Sequence, residues 1–354
     1  MKILIVGEGL GGLSLSLLLK RSGHSIEIVE QRGEKKVGGF IVLLWPNGLR
    51  LLRLLRIRIP GYPVYSFEEF YPTGKSRGRY YISPRIRRYG LPTVVIRQDL
   101  HDALLKKTNG ITVRRSSVVR SLRQDNRGIT VKLSNDEVGR YDYVIGADGV
   151  NSSIRKFAFP KAALKSTSWN GWWLWVNMIL PGKNFLNAWS NEKFFAIFPT
   201  RMRNRWCVYA GARAKYMTKR NVDLKSYFQD FSGIVPRILK KLPPDHEIFS
   251  GPQSQITLPR WHRGRIILMG DAAHAVSPST GIGASLAFED AALLAQAFRS
   301  KNPDQGIRKY ETVMKRRSRS MQKNFNTPKL LKHFETFIPE GCRLVNQAWR
   351  DLSQ

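Results

Sequence analysis

Cysteine is almost absent: the 354 residues hold two, Cys207 and Cys342. Their separation fits no metal-binding or dithiol redox spacing, which argues against a disulfide scaffold and suits a reducing compartment. Long apolar runs are missing too, and none approaches the roughly 18 to 20 residues of a membrane-spanning helix. The chain opens Met1-Lys2 and goes straight into Ile3-Leu4-Ile5-Val6-Gly7, without the ordered regions of a signal peptide, so a cytoplasmic location is expected. Acidic residues are scarce, 26 against 59 Lys and Arg, for a net charge of +33. The basic residues are scattered through Arg53, Arg56, Arg58, Arg85, Arg87, Arg88, Arg114, Arg115 and Lys315-Arg316-Arg317 rather than gathered in one nucleic-acid module. Specific nucleic-acid binding is therefore not expected, and weak attraction to anionic membrane surfaces stays open beside a merely solvated surface.

What is present is the pattern of an α/β protein with two structural units. Lys2 to Val6 reads as a buried strand, Gly7 to Gly12 as a tight turn, Leu13 to Lys20 as a helix and Ser25 to Glu30 as a second strand. Asn47 to Arg58 alternates leucine and arginine in a basic amphipathic helix, read as facing a core in preference to lying on a membrane surface. Pro60 to Pro92, rich in Tyr, Pro and Gly, reads as strands and loops outside the first unit. Val94 to Ile96 leads to a helix over Asp99 to Lys107. Ile111 to Val119, Ile129 to Leu133 and Tyr141 to Ile145 read as strands. Long β-like runs from Trp169 to Ala212 make a sheet unit. A last buried strand, Arg265 to Met269, precedes a helix from Ala284 to Phe298.

Gly7-Glu8-Gly9-Leu10-Gly11-Gly12 fits G-x-G-x-x-G between a strand and a helix, and Glu30 ends the second strand roughly 20 residues on, where a carboxylate can accept ribose hydroxyls. This unit alone does not choose between FAD and NAD. The segment Gly270-Asp271-Ala272-Ala273-His274, followed by Pro278 and Gly281-Ile282-Gly283 at a helix start, suits a flavin. Asp271 can accept from a sugar or ribityl hydroxyl. Free amides from Gly281 to Ala284, with the helix dipole, would stabilise negative charge on a reduced flavin ring. The bland alternative for Asp271 is a helix cap, and His274 reads as a locally packed residue rather than a base. Gly146-Ala147-Asp148-Gly149 is a third strand-to-loop carboxylate, whose alternative is a simple Asp-Gly turn.

Together these segments resemble the single-component FAD-dependent aromatic hydroxylases, the class A flavoprotein monooxygenases. The resemblance extends through Gly39, Trp45-Pro46-Asn47-Gly48, Arg97 with Leu100 and Leu104, Asp148-Gly149 with Arg155, and Glu289-Asp290-Ala291, and covers the chain to about Arg319. It implies FAD held by Gly7, Gly9, Gly12, Glu30, Arg97 and Asp271. The segment around Asp148 would serve both the cofactor pyrophosphate and a transient NAD(P)H. It also implies O2 as co-substrate, a C4a-hydroperoxyflavin as oxygen donor, and no obligatory catalytic side chain. Many members carry a Trp-Arg pair on the first long strand of the substrate domain; this chain has Trp175-Val176.

The expected architecture is a Rossmann-like FAD-binding domain of discontinuous segments (1–60, 92–160 and 255–301), a mostly antiparallel substrate domain (61–91 and 161–254) and a helical C-terminal segment (302–354). A small aromatic substrate is expected to meet some of Trp173, Trp175, Phe195 and Phe198, since alternate strand residues face opposite sides. Polyene epoxidation, double-bond reduction without oxygen, and a non-enzymatic basic interaction protein are the remaining readings. Oligomeric state stays open.

Overall fold

The computed structural model describes residues 1–33, 39–180, 184–213, 224–322 and 327–353. β1 (Lys2–Val6) leads into α1 (Leu10–Arg21), and β2 (Ser25–Val29) returns parallel to β1, with Ile3 opposite Ile26 and Ile5 opposite Ile28. Ile3 to Val6 are all buried, as expected of a parallel strand covered on both faces. β3 (Ile41–Leu44), α2 (Pro46–Leu54), β4 (Tyr62–Pro63), β5 (Ser66–Phe70), β6 (Ser76–Tyr81) and α3 (Pro84–Arg87) follow. Arg56, at φ +56°, ends the predicted helix that was expected to reach Arg58.

β7 (Thr93–Ile96) and α4 (Arg97–Leu105) precede five short strands and a helix: β8 (Thr112–Arg114), β9 (Val119–Asp125), β10 (Gly128–Leu133), β11 (Val138–Tyr141) and β12 (Tyr143–Gly146), then α5 (Ser153–Ala158). The strand expected over Ile111 to Val119 is thus two. Ser116, at φ +53°, turns the chain out of the ladder, so β8 joins β2 while β9 pairs with β10 in a separate sheet. The run Tyr141 to Ile145 is likewise divided at Asp142, whose carboxylate accepts from the Lys2 amide at 2.7 Å. β11 stays antiparallel to β10, whereas β12 inserts parallel beside β1.

The remaining elements are β13 (Lys165–Asn177), β14 (Phe185–Trp189), β15 (Lys193–Phe198), β16 (Arg205–Arg213), α6 (Leu224–Phe228), α7 (Val235–Leu239), β17 (Phe249–Gln255), β18 (His262–Arg263), β19 (Ile266–Leu268), α8 (Asp271–His274), α9 (Gly283–Arg299), α10 (Pro303–Met321) and α11 (Thr327–Ser353). Two sheets dominate. The six-stranded one runs β18-β19-β12-β1-β2-β8, parallel except for β18. The seven-stranded one runs β17-β13-β16-β15-β14-β5-β6, antiparallel except where β14 meets β5.

Alternation along the long strands sorts the second sheet's side chains. Trp172, Leu174, Val176, Phe195 and Val208 face a second core closed by Leu224, Phe228, Val235 and Ile238 of α6 and α7. The opposite face looks toward the first sheet. Among the helices, α9 is the hub, packing on α1, α2, α10 and α11. Its Glu289 is fully buried and accepts Arg317 Nε at 2.6 Å and Nη2 at 2.8 Å, while Asn47 Nδ2 donates at 2.5 Å. Arg317 also donates to Glu340 at 2.8 Å, so one charged cluster joins α2, α9, α10 and α11. No described helix is long and apolar enough to cross a membrane.

Candidate active site

The glycine turn between β1 and α1 is set by contacts that only hydrogen permits. Gly7 holds φ +111°, and a Cβ there would lie 2.4 Å from the Ala147 carbonyl oxygen at the end of β12. A Cβ on Gly12 would lie 2.2 Å from the Gly7 oxygen, fixing how closely α1 follows the strand. Gly9 differs: a Cβ there would meet nothing nearer than 4.0 Å, and no side chain caps the helix that begins beside it. The first-turn amides of α1 and the positive end of its dipole are therefore offered to an anion.

Glu30, 6% exposed, lies against this turn. Its carboxylate accepts the amides of Glu8 at 2.8 Å and Arg32 at 2.9 Å, and Arg32 Nε at 3.1 Å. Burial would raise its pKa, but these donors outweigh burial and hold it below the ordinary carboxylate value. The side chain stays ionised, and Oε2, which takes one of these bonds, keeps capacity for a hydroxyl donor. One support of the turn has no local signal. Arg115 grips Glu8 with two bonds of 2.8 and 2.6 Å, and the Glu8 carbonyl contacts His101 Nε2 at 2.8 Å. Arg115 stands 107 positions from Glu8, and the sequence marked it only as one basic residue among many.

Asp271 is held from behind. The Gly270 amide donates to Asp290 Oδ2 at 2.8 Å, His274 Nε2 meets the same oxygen at 2.6 Å, and Trp261 stacks on the imidazole at 4.9 Å. His274 is thus the packed, locally bonded residue the sequence suggested. Asp271 itself keeps an exposed face, although most of its surroundings are protein. That burial raises its pKa, with the charges of His274 and Arg97 opposing the rise. Arg97, half-buried at the start of α4, lies near enough to Asp271 for their charges to interact. Its pKa is lowered by burial and by Arg32, with Asp271 opposing, and its side chain lies over Gly39, where a Cβ would come 2.9 Å from Arg97 Cδ.

The Asp148 carboxylate turns inward to its own loop. It accepts the Ser152 hydroxyl, the Ser153 amide at 2.7 Å and hydroxyl at 2.9 Å, and the Ile154 amide at 3.2 Å, capping the entry to α5. Arg155 from that helix donates to the Ala272 carbonyl at 3.0 Å and the Val150 carbonyl at 2.6 Å, tying this loop to the one that carries Asp271. Gly281, at φ +60°, and Ile282 bring the chain to Gly283 at the start of α9, again with no side-chain cap. The Trp45 amide donates to Ser285 Oγ at 3.0 Å, so the Trp45-Pro46-Asn47-Gly48 stretch is docked on this same helix end.

A cavity of about 600 Å³ lies between the inner face of the seven-stranded sheet and the loop Ser277–Gly281. Trp169, Phe185, Trp189, Phe194, Phe198 and Tyr209 wall it, and Leu330 and Leu331 of α11 close one side. Of the four aromatics expected there, Phe198 is present. Phe195 points to the other face and packs on Phe228 at 5.2 Å. Trp173 stacks on Tyr209 at 4.1 Å, and Trp175 lies against Phe40 at 5.9 Å; neither lines the cavity. The misplaced residues follow from register: a strand shows which residues share a face, but not which end of that face lies over the cleft.

Residues 1–324 match a family described as FAD binding domain. The chain belongs to that family. It is 31% identical over 326 residues to 2-heptyl-3-hydroxy-4(1H)-quinolone synthase of Pseudomonas aeruginosa, covering 84% of this chain and 80% of that one. It is 29% identical over 332 residues to 3-hydroxybenzoate 6-hydroxylase of Polaromonas naphthalenivorans, covering 85% and 80%. The fold is shared with Klebsiella pneumoniae HpxO, solved with FAD and uric acid, at a TM-score of 0.83 and 23% identity over 100% of this chain and 97% of that one. This flavoprotein is an FAD-dependent monooxygenase with the Rossmann-like cofactor fold. Its residues fit the cofactor: the open cradle at Gly9, two helix ends without side-chain caps, and the exposed carboxylate of Asp271 match a pyrophosphate, a ring able to carry negative charge, and a polyol chain.

Proposed function

We propose that this flavoprotein hydroxylates a small aromatic compound at the expense of NAD(P)H and O2. The observation that carries the reading is the aromatic-walled cavity, whose floor is the loop leading to the uncapped start of α9. When bound, FAD supplies hydride acceptance from NAD(P)H and activation of O2. Gly7, Gly9 and Gly12 let the α1 amides reach the pyrophosphate, and Glu30 takes ribose hydroxyls. Arg97 and Asp271 would hold the cofactor chain. Asp148 acts through the loop it caps, presenting backbone rather than carboxylate. The amides from Gly281 to Gly283 stabilise negative charge on the ring.

The protein's task in the oxygen transfer is positional. Phe185, Phe198 and Tyr209 would hold a flat substrate in the cavity and keep water out, and α11 closes the side that Leu330 and Leu331 line. The division of the chain into a discontinuous cofactor unit, an inserted sheet unit and a helical C-terminal segment belongs to the same reading. So does a cytosolic setting, supported by two cysteines that are both free and buried. The polyene-epoxidase, double-bond-reductase and non-enzymatic readings draw no support from the relatives. The test is NAD(P)H oxidation by the FAD-loaded protein with a panel of hydroxylated aromatics: a compound that accelerates oxidation and leaves one oxygen heavier supports the reading. Acceleration by none, with no product, would sink it.

A further inference from the structure

The glycine turn carries a residue at odds with its role. Glu8 directly precedes Gly9, the N-cap of α1, in the stretch whose amides would receive the cofactor pyrophosphate, and it is 4% exposed. Its own amide donates to Glu30 Oε2 at 2.8 Å, so two buried acidic residues meet at one turn. A carboxylate near a helix start is attracted to the free first-turn amides, and once there it repels any second anion. Even so, α1 has no side-chain cap and no acidic residue in its first turn.

The Glu8 carboxylate is held elsewhere. Arg115 takes it in a two-bond fork, Nε to Oε2 at 2.8 Å and Nη2 to Oε1 at 2.6 Å, and among the described residues no other side chain bonds it. Arg115 is fixed by the loop that ends β8. Ser116 takes φ +53°, its amide donates to the Arg32 carbonyl at 3.1 Å, and the Ser117 amide donates to the Glu30 carbonyl at 3.0 Å. One loop thus anchors to the end of β2 and carries a guanidinium to the end of β1. Exposure divides the pair unequally, 5% for the Glu8 side chain against 27% for that of Arg115. Without Arg115 the carboxylate would keep a charge that water screens poorly, whereas without Glu8 the guanidinium still reaches solvent.

We propose that Arg115 is a positioning residue for the cofactor: it draws the Glu8 carboxylate off the start of α1 and cancels its charge, leaving the turn open to the pyrophosphate. The planar fork suits the task, since two parallel bonds fix the direction of the carboxylate as well as neutralising it. Glu8 is then a built-in competitor for the anion site, and Arg115 is what keeps it from competing. The inference rests on the reading of the glycine turn as the pyrophosphate cradle.

A double-mutant cycle on FAD affinity decides it without turnover. FAD-loaded protein is diluted in steps, and the fluorescence of released FAD gives the dissociation constant for wild type, Arg115→Gln, Glu8→Gln, the double variant and Arg115→Lys. Arg115→Gln weakens FAD roughly ten- to hundredfold, whereas Glu8→Gln binds it within about threefold of wild type or more tightly. The double variant returns to within about fivefold of wild type, and Arg115→Lys, which keeps the charge without the fork, loses less than about fivefold. A fork that served only to brace the turn gives the opposite pattern: both single variants lose FAD alike, and the double variant stays as weak as Arg115→Gln. Either of those results would overturn the proposal, as would full FAD affinity in Arg115→Gln or an Arg115→Lys as weak as Arg115→Gln. The cradle is tested separately by Gly12→Val. If that variant loses FAD while Arg115→Gln keeps it, the cradle stands and only the role of Arg115 falls; if Gly12→Val keeps FAD, both fall.

Discussion

The two halves of the active site are built by opposite means. The proposed cofactor cleft is a backbone structure, built on missing Cβ atoms at Gly7 and Gly12 and on helix starts without side-chain caps. The substrate cavity is a side-chain structure, assembled from single residues on β5, β13, β14, β15, β16 and β17 together with α11. A backbone site tolerates almost no change at its glycines. A side-chain site can be refitted residue by residue, which is how one cofactor frame can serve different substrates.

The comparison breaks most completely where both halves share a support. Arg317→Met leaves the Glu289 carboxylate buried and unpaired at the junction of α2, α9, α10 and α11. We expect a loss of about 3–5 kcal/mol of stability, read by chemical denaturation, with FAD and substrate affinity falling together. An unchanged denaturation midpoint would contradict the shared support. Next is Gly12→Val, whose added carbons collide with the Gly7 carbonyl. The expected result is FAD affinity weaker by at least about a hundredfold, roughly 2.7 kcal/mol, by fluorescence titration. Full retention of FAD would remove the backbone account of the cleft.

The third variant separates the halves. Phe198→Ala, on the cavity wall, should raise KM about tenfold, near 1.4 kcal/mol, with FAD affinity unchanged; a loss of FAD instead would mean that the two sites are not separable. The smallest effect is one of pH. Burial alone would lower the His274 pKa, but the Asp290 charge and hydrogen bond raise it above 6.5. A raised folded pKa gives stability that is complete below pH 6.5 and drains as pH rises through the folded value. Thermal midpoints from about pH 6 to 9 should therefore fall more steeply in wild type than in Asp290→Asn, and parallel slopes would rule the pair out as the source.

The same contrast governs what the sequence made legible. The local fold on this side was readable because its signals are short: a glycine turn between strand and helix, Glu30 at the next strand end, and Gly270-Asp271 ahead of Gly281 at a helix start. The order β1, α1, β2 followed from that periodicity alone. Asp148 was marked as a candidate, but the direction of its carboxylate was not legible. Whether a carboxylate faces a ligand or caps its own helix depends on Ser152 and Ser153 hydroxyls whose directions no spacing reveals. The breaks at Ser116 and Arg56 were hidden because neither residue type advertises a positive φ.

The cavity was least legible. Phe195 and Phe198 are equally apolar and three residues apart, and only the pairing of β15 between β14 and β16 sends one to the second core and the other to the cavity. Arg115 and Arg317 looked like two more of the 59 basic residues, since their partners Glu8 and Glu289 lie far off in sequence.

The most direct test of the account is the mass of the product formed when FAD-loaded protein, NAD(P)H and a rate-accelerating aromatic react under 18O2. Incorporation of one 18O atom into the ring is the predicted result. A product formed without labelled oxygen, or NAD(P)H consumed only to hydrogen peroxide with every aromatic that binds, would contradict it.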